Sequence, residues 1–158
     1  VLEAIGRADW IILGPGSWYT SVLPHLMIPE IAEAIAASPA RKGIITNLSV
    51  GAQEAEGMTS LDMLDVLLDH AGDCLFDALV ADPTTLEDVL DLAEAAQERG
   101  LRTLLRQVSV GDGTPRHDPV RLADDLKLIT GVVEHGLFLD LADLAIIGTD
   151  EGFEERLP

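Results

Sequence analysis

The sequence predicts an α/β fold of the Rossmann-like kind, a parallel sheet with helices on both faces. Two observations predict it: short continuous apolar runs alternate with longer segments of helical period, and polar or Gly-rich stretches follow the apolar runs. Trp10-Ile11-Ile12-Leu13 is an apolar run ended by Gly14, the pattern of a strand covered on both faces. Residues 29–38 (PEIAEAIAAS) follow Ile28 and align it with Ile31 and Ile35 on one face, predicting a helix that stops at Ser38-Pro39. Residues 43–48 (GIITNL) read as a second strand. Thr59-Ser60 caps a helix through Leu61, Leu64, Val66, Leu67 and Leu68 that stops at Gly72. Residues 76–80 read as a third strand, closed by Ala81-Asp82-Pro83. Thr84 or Thr85 then caps a long helix with Leu86, Val89, Leu90, Ala93 and Ala96 inward and a stop at Gly100. A fourth strand over 102–108, a loop of turn residues over 111–119 and a helix over 120–133 complete the alternation. Strand, helix, strand with short connections implies right-handed crossovers, and ligands in such sheets bind outside the carboxyl ends of the strands.

Residues 1–136 form one α/β domain on this reading, and residues 137–158 form an acidic tail outside the alternation. In the tail, Leu139, Leu141, Leu144, Ile146 and Ile147 suit either a short helix and strand or a contact between copies in a homo-oligomer. Residues 1–6 read as the tail of a helix, so the expectation is the carboxyl-terminal portion of a larger domain with its first strand and loop upstream.

The 158 residues suffice for one domain with a core of its own, and 47% hydrophobic against 24% charged residues is ordinary for a globular chain. Ten Lys and Arg against 28 Asp and Glu give a net charge of −18, which repels a phosphate backbone and argues against nucleic acid as a partner. The single cysteine, Cys74, cannot form an internal disulfide. No apolar run reaches the ~20 residues of a membrane span and no signal peptide opens the chain, so the expected location is the cytoplasm.

Three strand-end loops carry the candidate chemistry. In the first, Gly14 and Gly16 let the backbone turn sharply, and Ser17, Thr20 and Ser21 add hydroxyls suited to phosphate or sugar oxygens. A following helix would contribute its positive end, although the segment is neither a Walker sequence nor a dinucleotide fingerprint, and a simple strand-ending turn is the alternative. The second loop leaves its strand with Asn47 and reaches Glu54 and Glu56, carboxylates that suit sugar hydroxyls, a divalent cation held through water, or merely a solvated face ahead of a helix. In the third, Arg116 is a natural clamp for a diphosphate, Asp118 is either a ligand or the N-cap ahead of Pro119, and His117 pairs with either neighbour. No zinc-type ligand spacing and no nucleophile elbow is present, which leaves no catalytic and no metal-ligating set to assign. His25, His70, His135 and Cys74 read as structural.

Ala8-Asp9, an apolar strand and then GPGSWYTS resemble the gluconeogenesis factor (YvcK-like) family of the CofD-like superfamily. The resemblance continues through Leu23-Pro24, residues 29–35, Asn47-Leu48, Glu54, Glu56-Gly57 and Arg116-His117-Asp118, and covers about residues 1–130. Met58 stands where the family has an aromatic residue, and the family's N-terminal Gly-rich phosphate loop has no counterpart in the sequence. The resemblance implies a Rossmann-like fold and a regulatory protein that binds a UDP-sugar such as UDP-N-acetylglucosamine, linking carbon metabolism to cell-wall synthesis and cell shape. It implies ligand contacts from Gly14, Gly16, Ser17, Tyr19, Thr20, Ser21, Asn47, Glu54, Glu56, Met58, Arg116, His117 and Asp118. On this reading no cofactor is required. The alternative it implies is a 2-phospho-L-lactate transferase of deazaflavin coenzyme synthesis, which would use Mg²⁺ beside a nucleoside diphosphate. A third reading is a half-domain that serves only in assembly.

Overall fold

The computed structural model describes residues 1–49, 57–72, 74–127, 145–149 and 152–156. In chain order it contains α1 (Leu2–Arg7), β1 (Trp10–Leu13), a single π-helical turn (Trp18–Val22) running into α2 (Leu23–Met27), α3 (Pro29–Ala37) and β2 (Arg41–Ile45). Then follow α4 (Ser60–Ala71), β3 (Ala78–Ala81), α5 (Val89–Glu98), β4 (Arg102–Leu105), α6 (Pro119–Lys127), β5 (Ala145–Thr149) and β6 (Gly152–Arg156).

The first four strands form one parallel sheet in the order β1-β2-β3-β4, with Ile12 opposite Gly43, Ile44 opposite Leu79 and Val80 opposite Leu104. All three crossovers step the same way along the sheet, so right-handed connections put α3, α4 and α5 on one face. The side chains sort accordingly with period two. Ile11, Leu13, Ile44, Leu79, Ala81 and Leu105 meet Ile35, Leu64, Leu67, Leu92 and Ala96 in the main core. Ile12, Ile45, Val80 and Leu104 point the other way and meet Leu48, Val108 and Leu122 of α6. Both faces are therefore covered, as the apolar runs predict. Ile11 and Ile12 are only half-buried because β1 lies at the edge of this sheet.

Local chemistry sets the element ends. Thr59 and Asp62 form a reciprocal capping box at the start of α4: the Thr59 hydroxyl accepts from Asp62 N–H at 3.1 Å, and the Asp62 carboxylate accepts from Thr59 N–H at 2.7 Å. At the other end of the sheet, Lys42 is buried, and its ammonium donates to the carbonyls of Ser38 and Ala40 at 3.0 and 3.1 Å, fastening the end of α3 to β2.

The strands expected over 43–48 and 76–80 span Arg41–Ile45 and Ala78–Ala81. Two further boundaries differ from the sequence expectation, and one residue explains both. The helix expected from Thr84 or Thr85 begins at Val89, and the strand expected over 102–108 ends at Leu105. Asp82 is fully buried and takes Thr84 N–H and hydroxyl at 2.8 and 2.6 Å on one oxygen, and Val108 N–H and Ser109 N–H, both at 2.8 Å, on the other. These donors serve a carboxylate rather than a helix or a ladder, so both elements stop short of them.

Beyond α6, β5 and β6 pair antiparallel as a separate two-stranded sheet, with Ile147 opposite Glu154. Of the short helix and strand that the tail suits, Ile146 and Ile147 lie in β5, and Leu139, Leu141 and Leu144 lie outside the described residues. Among the described residues, no helix is long and apolar enough to cross a membrane.

Candidate functional site

The turn after β1 is built for close approach. Gly14 has φ +85°, and a Cβ placed there would run into the Ile45 carbonyl oxygen, so only glycine fits against β2. The Gly14–Pro15 peptide is cis. Gly16 N–H donates to Asn47 Oδ1 at 3.0 Å, binding this turn to the loop after β2. Ser17 Oγ accepts from Thr20 N–H at 3.3 Å, and the buried Trp18 anchors the π-helical turn in the main core. Tyr19 stays 43% exposed and its hydroxyl donates to the Met58 sulfur at 3.6 Å. Thr20 and Ser21 are exposed.

The loop after β4 returns as a short antiparallel excursion. Val110 N–H donates to the Arg116 carbonyl at 3.0 Å and Asp118 N–H to the Val108 carbonyl at 2.7 Å, with Ser109 bridged to His117. That pairing turns His117 toward the first loop. Between them, over the end of β2, lies a cleft of about 310 Å³ lined by Pro15, Gly16, Ser17, Asn47, Leu48, Ser49, Pro115 and His117. Through Leu48, Ser49 and Pro115 it shares a wall with a wider cleft of about 500 Å³ over the ends of β3 and β4.

The charged groups of the third loop are partly engaged within it. The Arg116 guanidinium meets Asp112 at 2.7 Å and donates through Nε to the Thr114 hydroxyl at 3.0 Å, with its side chain 67% exposed. Hydrogen bonds from Thr114, then Arg116, hold the Asp112 carboxyl well below the usual carboxylate range. Asp118 accepts from Val120 N–H at 3.0 Å and Arg121 N–H at 3.1 Å, which caps α6 in the N-cap reading of this residue. Burial pushes the His117 imidazole below its ordinary pKa, against the Thr46 backbone and the Asp82 charge, which favour the proton.

Several site residues expected from sequence therefore come together: Gly16, Ser17, Asn47 and His117 around one cleft, and Tyr19 against Met58. Arg116 sits at the outer end of the same loop and does not line the cleft, while Gly14 supports the turn from behind. Glu54 and Glu56 lie outside the described residues. Sequence reasoning passed over Asp82 and Thr46. Both are polar residues at the carboxyl end of an apolar strand, and that position was the available signal. Among the described residues, Thr46 Oγ1 and His117 Nε2 are the buried side-chain polar atoms without a hydrogen-bond partner. Thr46 is 6% exposed and borders a void of about 10 Å³ beside Asn47 and Ser49, room for a single water-sized group.

A parallel sheet covered by helices, with clefts at the carboxyl ends of its strands, defines an α/β protein of the Rossmann-like class. Residues 1–108 match the family model described as 2-phospho-L-lactate transferase CofD. The chain is 35% identical over 136 residues to the gluconeogenesis factor of Listeria innocua, covering 79% of this chain and 42% of that one. It is 43% identical over 98 residues to the gluconeogenesis factor of Halalkalibacterium halodurans, covering 62% of this chain and 30% of that one. A crystal structure of a Bacillus halodurans protein superposes with a TM-score of 0.65 at 33% identity, covering 78% of this chain and 44% of that chain. The chain belongs to the CofD-like superfamily, in its gluconeogenesis factor (YvcK-like) family. It spans less than half the length of these relatives. A second, shorter match, over residues 104–152, is to the family model described as ribose 5-phosphate isomerase A (phosphoriboisomerase A), and much of it lies outside the described residues.

Proposed function

We propose that the chain is a nucleotide-sugar-binding part of a cytoplasmic regulatory protein of the gluconeogenesis factor kind, with UDP-N-acetylglucosamine as its ligand and a role in coupling carbon metabolism to cell-wall synthesis and cell shape. One observation carries the reading: the 310 Å³ cleft between the Pro15-Gly16-Ser17 turn and His117, open at the strand ends where this sheet class binds ligands. Gly16 N–H is engaged by Asn47, so the diphosphate would draw on the Ser17 and Thr20 hydroxyls and on Arg116 once it leaves Asp112. An exposed Arg on a short loop can make that exchange, because one charge-assisted pair replaces another. Titration calorimetry with UDP-N-acetylglucosamine tests the reading. Binding is expected, weakened about tenfold by Arg116→Ala and strengthened by Asp112→Asn, which frees the guanidinium. No binding heat at millimolar ligand overturns it.

A second reading, a transferase using a nucleoside-diphosphate-activated acid with Mg²⁺, is favoured by the CofD family match. Among the described residues, no group of three His, Cys, Asp or Glu is placed to hold a metal ion, although Mg²⁺ beside a nucleoside diphosphate needs only one or two carboxylates together with the phosphates. Turnover of such a substrate would decide for the transferase, and binding without turnover for the regulator.

A further inference from the structure

We infer that the 500 Å³ cleft over the ends of β3 and β4 is the subsite for the uncharged, polyhydroxylated half of the ligand, the sugar, with Thr84, Thr85, Gln107 and Ser109 setting its specificity. The inference rests on the proposed nucleotide-sugar reading and assigns residues that neither the sequence motifs nor the family resemblance singles out.

Three observations carry it. Apart from Leu48 and Pro115 on the shared wall, the described lining is hydroxyl, amide and backbone, with Ser49, Thr84, Thr85, Gln107, Ser109 and Thr114 among its members and no charged side chain. Such a surface matches a polyol, which offers alternating donors and acceptors and brings no charge to neutralise.

Next, the strand ends beneath this cleft already hold an anion of their own. Thr84, Val108 and Ser109 N–H all point at the Asp82 carboxylate, the position a phosphate would otherwise take. A buried carboxylate under the floor repels a diphosphate and tolerates a neutral sugar. The Thr84 and Ser109 hydroxyls, 3.5 Å apart, sit above it.

Third, a nucleobase stacks best on an aromatic face, and the described lining has no aromatic residue. Among the described residues the exposed aromatic is Tyr19, two residues after Ser17 of the 310 Å³ cleft. The shared wall of Leu48, Ser49 and Pro115 then lets one ligand run from the first cleft into the second.

The test compares UDP-N-acetylglucosamine with UDP by titration calorimetry on the chain and on Gln107→Ala and Gln107→Leu. Gln107 is exposed, so both variants are expected to fold. The expected result is a loss of about fivefold or more for the nucleotide sugar with less than about twofold for UDP, the loss of a hydrogen bond to the sugar alone. Equal losses for both ligands, or none for either, overturn the subsite and leave nucleotide binding standing. Failure of the parent chain to bind either ligand overturns both readings.

Discussion

Asn47 Oδ1 accepts the Gly16 N–H at 3.0 Å across 31 residues of sequence, so the loop after β2 holds the turn after β1 in place. The first expected outcome follows from it. Asn47→Ala removes the acceptor and leaves a half-buried N–H to find another, and chemical denaturation should show a loss of about 1–2 kcal/mol. The same variant loosens one wall of the cleft, so ligand affinity should fall with it. A variant that keeps full stability would mean that the turn holds itself.

Gly14 and Gly113 have nearly the same φ, +85° and +82°, in opposite surroundings. A Cβ at Gly14 strikes the Ile45 carbonyl, whereas one at Gly113 meets nothing within 4 Å. Gly113→Ala should cost only the left-handed conformation, about 1 kcal/mol. Gly14→Ala adds displacement of β1 from β2 and should cost about 3 kcal/mol or more, of the order seen when a buried site is overfilled. Equal melting temperatures for the two variants would contradict the close approach.

Asp82 should dominate the acid sensitivity of the sheet. Burial raises its pKa, but the hydrogen bonds from Thr84 and Ser109 outweigh burial and hold the carboxyl below its ordinary 3.8. A carboxyl lowered on folding contributes stability that is present above the unfolded value and lost as pH falls through the folded one. Stability attributable to Asp82 should therefore be complete above about pH 5 and drain away below about pH 4. Asp82→Asn puts an amide NH₂ against N–H donors and should cost about 2–4 kcal/mol at pH 7, removing that part of the acid slope. Denaturation curves at several pH values measure both.

His117 titrates in the opposite sense to a paired histidine. Its imidazole is lowered from the ordinary 6.5, chiefly by burial, so the unfolded chain takes up the proton first. Stability from this group is full above that value and is lost as pH falls below it. Ring-proton NMR should place the His117 midpoint below 6.5, and an ordinary or raised midpoint would show that the ring is not held in the cleft wall.

Much of the sheet was legible along the chain, because a strand covered on both faces leaves an unbroken apolar run and a covering helix leaves a 3.6-residue stripe. Trp10–Leu13, the Ile31 and Ile35 face of α3 and the Leu64 and Leu67 face of α4 all carry that signature. The element ends around Asp82 were not legible, since its partners at Val108 and Ser109 lie 26 and 27 residues away and a carboxylate's choice among donors leaves no local periodicity.

The sequence by itself determined the parallel α/β class, the strand-end position of the loops and the superfamily, because burial periodicity and short motifs are local properties of a chain. Only the tertiary structure decided which loop residues face one another. It turned His117 toward the Gly16 turn, kept Arg116 with Asp112, and spent the backbone donors of the β3 and β4 ends on Asp82. Those pairings depend on the direction of individual side chains across the sheet end, which sequence spacing does not encode.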